Sequence, residues 1–266
     1  MSDVLDVSAL AAPLGAVIQG VDLRNPLTAG LRRQIRDALT SHLLLIVRGQ
    51  FLSPVELLAF ATVFGEPVVH RFVPGLADHA PITEIRKEPE HLHNYGGAWH
   101  FDLSFLPCPP AVTVLLAKEV PASGGDTLWS NQYLAYASLP KHMQERVGEL
   151  SAEHTSEIAF NGFGHDSVST VHPLAPIHPL TRRHYLYANP VSISRLLGPG
   201  GEDDQALLTC LYGHATQPHL QYRHHWMGGD VLVWDNRATM HIAMNDYPGR
   251  RRVMLRVAVT DSPDIS

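Results

Sequence analysis

The sequence predicts a mixed α/β fold that is mainly β: a double-stranded β-helix (jelly roll) with flanking helices, in a single domain over residues 1–266. Three observations lead there. From about residue 99 onward, short runs rich in Val, Leu, Thr and aromatic residues are separated by Gly and Pro turns, the pattern of a sheet protein. Helical periodicity interrupts this region only twice, which suits packed sheets better than alternating strand–helix–strand units. Neither type of Gly-rich nucleotide-phosphate loop occurs in the chain.

Thr28 is a good N-cap, and Leu31, Ile35 and Leu39 then recur every four residues, so 28–40 reads as an amphipathic helix. Residues 43–47 are an unbroken apolar run, short enough for a buried strand. Ser53-Pro54-Val55-Glu56 joins a capping serine, a proline at the first helical position and a glutamate three after the cap. The helix it opens stops near Gly65. Strands follow in Trp99-His100-Phe101-Asp102 and at 111–120, 126–129, 184–189, Val231–Asp235 and 252–260, with helices near 139–150 and 203–214.

Composition narrows the function classes. With 45% hydrophobic and 17% charged residues the chain is ordinary globular protein, large enough to fold without disulfides. Cys108 and Cys210 are the only thiols, too few for a secreted disulfide framework. The opening Met-Ser-Asp-Val-Leu-Asp has neither the basic nor the apolar region of an export signal, and no run approaches a membrane span, so a soluble cytoplasmic protein is expected. A net charge of −6, with 17 Arg and 3 Lys scattered apart from Arg250-Arg251-Arg252, does not make a nucleic-acid footprint. Among 17 histidines, His91/His93 and His224/His225 read as solvated loop residues rather than accessory metal sites.

One constellation carries chemistry. His100-x-Asp102 means little alone: 17 histidines and 15 aspartates in 266 residues give about one such spacing by chance. Context adds to it. An i, i+2 spacing places both side chains on one strand face, where they can share a metal. Arg252, Met254 and Arg256 also share a face, and two arginines inside a sheet require anionic partners. His241 follows the Val231–Asp235 strand closely enough to reach the same place. Two imidazoles and a carboxylate on one face of a metal are the ligand set of non-haem iron(II) oxygenases. A surface His–Asp pair beside a solvated arginine edge fits the same residues.

Trp99-His-Phe-Asp-Leu-Ser-Phe105, Gly124-Gly-Asp-Thr-Leu-Trp129, Val233-Trp-Asp-Asn-Arg237, His241 and Arg252-x-x-x-Arg256 together resemble the family of Fe(II)/2-oxoglutarate-dependent oxygenases that contains taurine dioxygenase and 2,4-dichlorophenoxyacetate dioxygenase. Pro13 to Leu23, Phe64-Gly-Glu66 and His178-Pro179 look like further landmarks, so the likeness spans nearly the whole chain. It implies that His100, Asp102 and His241 bind iron and act as the catalytic centre. It also implies that Thr127 and Arg252 hold the distal carboxylate of 2-oxoglutarate, and that Arg256 lies where co-substrate and substrate meet. His70, Tyr95, Leu103, Phe105 and Arg256 would then contact substrate. The implied reaction uses Fe(II), 2-oxoglutarate and dioxygen. It yields succinate and CO2 while hydroxylating a C–H bond, with fragmentation where that carbon bears a heteroatom. The retained Asp102 argues against halogenation.

Two polar positions that receive taurine's amine correspond here to Val73 and Gly96, with Tyr95 adjacent. That points away from taurine and towards a more hydrophobic anion: an alkyl sulfate, a sulfonate or an aryloxy carboxylate. The segment between His154 and His172, containing Ile158-Ala-Phe-Asn-Gly-Phe-Gly-His165, reads as a short mobile lid. A tailoring hydroxylase of a biosynthetic intermediate is the alternative, followed by a non-redox jelly-roll metalloenzyme and a catalytically silent binding protein. The expected partners are a small anionic substrate and further copies of the chain in a homo-oligomer, with no nucleic acid and no membrane.

Overall fold

The structure, a computed structural model, describes residues 4–160, 166–200 and 203–261. In chain order the first half contains β1 (Asp6–Ala9), β2 (Ala16–Gln19), α1 (Ala29–His42), β3 (Leu44–Val47), α2 (Pro54–Ala61), β4 (Gly65–Val68), β5 (Ile82–Lys87), β6 (Val112–Glu119) and β7 (Thr127–Asn131). Then come α3 (Gln132–Ala137), α4 (Lys141–Gly148), β8 (Ser151–Thr155), α5 (Glu157–Phe160), β9 (Ser169–Pro173) and β10 (Ile193–Leu197). The chain closes with α6 (Gln205–Ala215), β11 (Gln221–His224), β12 (Val231–Asp235), β13 (Thr239–Ala243) and β14 (Arg252–Asp261).

The large sheet has the order β1-β2-β3-β12-β6-β14-β4, with β5 pairing alongside β14 before β4 takes over the same edge. A second sheet has the order β11-β7-β13, and a third β10-β8-β9. The alternation of the strands decides how the layers pack. Leu44, Ile46, Leu115, Ala117, Leu232, Trp234 and Met254 face inward and join Trp129 and Met240 of the second sheet in one core. Their neighbours Leu45, Val47, Val114, Leu116, Val231, Val233, Leu255 and Val257 face outward and are covered by Ile35 and Leu39 of α1 and Leu57 and Phe60 of α2. These strands are therefore buried on both faces, which is why 43–47 and Val231–Asp235 read as unbroken apolar runs. Each such side chain contributes about 1.5–3 kcal/mol on burial, so the layers hold without disulfides. This is the jelly-roll architecture the sequence predicts.

Local signals were read well. Thr28 caps α1 by accepting from Leu31 N, and Leu43 ends it in the left-handed region at φ 66°. Ser53 and Glu56 form a complete capping box on α2, which ends at Ala61 before Gly65 opens β4. The helices expected near 139–150 and 203–214 are α4 and α6.

Three expectations require correction. Residues 184–189 form no strand: His184 makes a single bridge to Ile177, and Leu186 and Tyr187 donate backbone N–H groups to Gln132 and Leu174 rather than to one neighbouring strand. Trp99 to Asp102 is not a strand either. His100 makes an isolated bridge to His241, and the chain then turns at Asp102. His224, expected in solvent, is fully buried, its Nε2 3.0 Å from the Asp230 carboxylate. The segment between His154 and His172, expected to form a lid, carries α5 (Glu157–Phe160) and the start of β9 at Ser169, while 161–165 lie outside the described residues.

Candidate active site

His100, Asp102 and His241 converge between the two facing sheets, with one ligand-type atom from each lying within 4.8 Å of the others. His241 sits on β13, opposite Trp129 of β7. Its backbone exchanges both hydrogen bonds with His100, which fixes the two imidazoles with ring centroids 4.1 Å apart. Asp102 arrives by a different route, from the turn after His100. There Leu103 adopts φ 52°, a conformation uncommon for a side chain other than Gly or Asn. That turn, not strand alternation, brings the carboxylate to the imidazoles.

The donor set fits a metal. Burial keeps both imidazoles neutral: it lowers His100 and, together with the neighbouring His100 ring, takes His241 to about 3. His100 Nδ1 lies 2.7 Å from the carbonyl of Ala98, so that nitrogen carries the proton and Nε2 keeps its lone pair. Burial alone would raise Asp102, but Arg256, with the hydrogen bond from Thr113, holds it ionised well below the usual carboxylate range. Its oxygens accept from Arg256 Nη1 at 3.0 Å and from Thr113 Oγ1 at 2.8 Å. Asn236 clamps the backbone of the same residue, accepting from Asp102 N at 2.8 Å and donating to Asp102 O at 3.0 Å and Pro110 O at 2.8 Å. The Asn236 turn is itself pinned by Asp235, which binds Arg237 and His178.

Arg252 and Arg256 do share the inward face of β14, 4% and 5% exposed. Their fates differ. Arg256 has its anion in Asp102, and its guanidinium carbon lies 5.7 Å from the centroid of the Tyr95 ring. Among the described residues, Arg252 Nε and Nη2 have no hydrogen-bond partner although both are buried. Thr127, on β7, lines the same narrow cavity as Arg252, Arg256, His100 and His241. Its hydroxyl oxygen accepts the indole N–H of Trp226 at 2.9 Å, leaving the hydroxyl proton to donate. A space bounded by unpaired cationic N–H groups and a hydroxyl, and by His100 and His241, fits a dicarboxylate that also chelates a metal.

Beside the triad opens a cavity of about 400 Å³ whose lining includes Tyr95, Leu103, Phe105, Ile158 and Phe160. Leu103 and Phe105 pack with Phe72 and Phe160 in a small apolar cluster of their own. His70 stands at its edge, its ring centroid 5.7 Å from that of Phe160. Burial and the nearby Arg256 lower His70 to about 4. Its Nδ1 accepts from Phe72 N and Val73 N, which puts the proton on Nε2, a buried atom with no partner among the described residues.

The model of the taurine catabolism dioxygenase TauD, TfdA family matches residues 6–258. The chain belongs to the TauD/TfdA family of Fe(II)/2-oxoglutarate-dependent oxygenases. It is 32% identical to the alkylsulfatase of Acinetobacter baylyi over 96% of this chain and 84% of that one. It is 33% identical to the alpha-ketoglutarate-dependent sulfate ester dioxygenase of Pseudomonas putida, over 96% and 89%. The crystal structure of a taurine dioxygenase from Burkholderia xenovorans superposes with a TM-score of 0.84 at 32% identity, covering 98% of this chain and 92% of that one.

As a TauD/TfdA protein the chain departs from expectation at one pocket position. Gly96 does lie on the cavity wall, at φ 75°, and a Cβ there would stand 3.2 Å from His100 Cε1, so no side chain fits without moving the imidazole. Val73 instead contributes its backbone N–H to His70. Sequence reading missed Thr113, Asn236 and Trp226. Asn236 stands inside a recognised motif, Thr113 is in phase with the inward face of β6, and nothing in the local sequence marks Trp226.

Proposed function

We propose that the chain is an Fe(II)- and 2-oxoglutarate-dependent dioxygenase that hydroxylates a small organic anion with an apolar body, such as an alkyl sulfate, a sulfonate or an aryloxy carboxylate. The observation that carries this reading is the pairing of a His–Asp–His triad, its imidazoles neutral and its carboxylate ionised, with a buried Arg252 whose Nε and Nη2 have no hydrogen-bond partner among the described residues. His100, Asp102 and His241 would hold the iron, and Arg252 with Thr127 would hold the distal carboxylate of 2-oxoglutarate. Bound iron supplies dioxygen activation: one oxygen atom ends in succinate, formed with CO2, and the other in the hydroxylated product. Where that carbon carries the oxygen or sulfur of the leaving anion, the product falls apart.

The protein's own residues set position and protonation. Arg256 and His70 Nε2–H offer the substrate anion positive charge and a donor, while Leu103, Phe105 and Phe160 take up an apolar body and exclude water. Placing the anion decides which C–H bond lies nearest the triad. The sulfate-ester activities named for two relatives favour an alkyl sulfate within this class.

The test is a panel of alkyl sulfates, sulfonates, aryloxy acids and taurine, scored by substrate-dependent succinate release. An apolar anion is expected to turn over best. Taurine as the best substrate would contradict the part given to Gly96, and a neutral or cationic best substrate the parts given to Arg256 and His70.

A further inference from the structure

β11 pairs with β7 so that His224 stands opposite Thr127, and the chain then carries Trp226 in beneath the arginine of β14. Trp226 is 2% exposed, and it touches both residues that would hold the co-substrate's far end. Its indole N–H donates to Thr127 Oγ1 at 2.9 Å, and the Arg252 guanidinium carbon lies 5.8 Å from its ring centroid, within cation–π range.

The indole is itself held from behind. His224 meets it edge-on at 4.8 Å, and His224 Nε2 lies 3.0 Å from Asp230 Oδ2. The same oxygen accepts from Met227 N at 2.9 Å and pairs with Arg48. Both flanks of Trp226 are thus tied to one buried carboxylate. On the other side, Gly125, at φ 71°, leaves room for the Arg252 side chain: a Cβ there would lie 3.2 Å from Arg252 Cδ.

We propose that Trp226 is a positioning residue for 2-oxoglutarate, orienting the Thr127 hydroxyl and the Arg252 guanidinium as a donor-only clamp for its distal carboxylate. The chemistry follows from proton counting. A threonine hydroxyl has one proton and accepts through its lone pairs. With the indole N–H committed to that oxygen, the proton is free to point into the cavity, beside Arg252 Nε–H and Nη2–H. A site with donors and no acceptor favours an ionised carboxylate over an amide or ester at that end. The proposal rests on the co-substrate reading given above.

Trp226→Phe keeps an aromatic ring near Arg252 but removes the N–H along with part of the indole, so the comparison in a background lacking the Thr127 hydroxyl isolates the hydrogen bond. Losing one buried neutral hydrogen bond raises KM for 2-oxoglutarate about three- to tenfold, with no matching rise in KM for the organic substrate. Calorimetric titration of glutarate, which has the distal carboxylate but no keto-acid chelate, weakens in parallel. In a Thr127→Val background the same Trp226→Phe change adds less than about twofold, because its hydrogen-bond partner is already gone. Equal losses in both backgrounds, or unchanged 2-oxoglutarate and glutarate binding by a folded Trp226→Phe protein, would overturn the assignment. Wild-type protein that binds neither ligand would instead overturn the co-substrate reading itself.

Discussion

Arg252 is held at an energetic disadvantage in the ligand-free protein, and that disadvantage can be measured. The residue is 4% exposed, burial pushes its pKa down, and two of its nitrogens, Nε and Nη2, have no partner among the described residues. A buried unsatisfied donor costs about 1–3 kcal/mol, so two give about 2–6 kcal/mol. Arg252→Met keeps much of the aliphatic stem and removes both donors. Ligand-free Arg252→Met protein is therefore expected to be more stable than wild type by at least about 1 kcal/mol, roughly 2–4 °C in Tm for a chain of this size. That advantage shrinks when 2-oxoglutarate is present. Losing a charge-assisted contact of about 1.5–3 kcal/mol weakens binding roughly ten- to a hundredfold. At one hundred times its own Kd the co-substrate stabilises wild type by about 2.7 kcal/mol, and the same concentration stabilises the variant by only about 0.4–1.4 kcal/mol. Thermal melts of both proteins across a 2-oxoglutarate titration, paired with KM measurements, provide the assay. An Arg252→Met protein that melts below wild type without ligand, yet gains the full shift with it, would refute this reasoning.

The remaining predictions concern the metal, its support and pH. Activity requires Fe(II) and is blocked by Zn(II), and His100→Ala, Asp102→Ala and His241→Ala each abolish succinate release while leaving a folded protein; full activity in a metal-stripped preparation would sink the oxygenase reading. Asn236→Ala removes both hydrogen bonds that hold the Asp102 backbone and weakens metal binding roughly ten- to a hundredfold by anaerobic calorimetry, so an unchanged metal affinity would remove Asn236 from the site's support. His154 is fully buried, and burial, helped by His172, lowers it to about 3. The unfolded chain takes up a proton there below about pH 6.5 and the folded chain does not, so stability is lost as pH falls, by about 2 kcal/mol at pH 5 from this residue alone. Urea midpoints at pH 7 and pH 5 should draw closer in His154→Gln by that amount; an undiminished loss would mean that His154 is not the residue responsible.

Much of the site was legible because its parts repeat at short range. Arg252 and Arg256 lie four apart on a long strand, and alternation alone turns both inward. The same logic misplaced Asp102: an i, i+2 spacing reads as one strand face, but the segment makes a single bridge to β13 and then turns through a left-handed Leu103. Convergence of the three side chains was the right expectation, reached by the wrong geometry. The 184–189 run failed for a related reason: its apolar residues fill the core, but their backbone groups find scattered partners instead of one strand.

By itself the sequence determined the capped helices α1 and α2, the doubly buried strands and the inward direction of both arginines, because caps and alternation act over a few residues. Tertiary structure alone decided that Arg256 is neutralised and that Arg252 Nε and Nη2 lack partners among the described residues. Asp102 reaches Arg256 across 154 residues of chain, Asn236 reaches Asp102 across 134, and Trp226 reaches Thr127 across 99. Such partners are set by sheet register and by the packing of one sheet against the other, and no local periodicity encodes them.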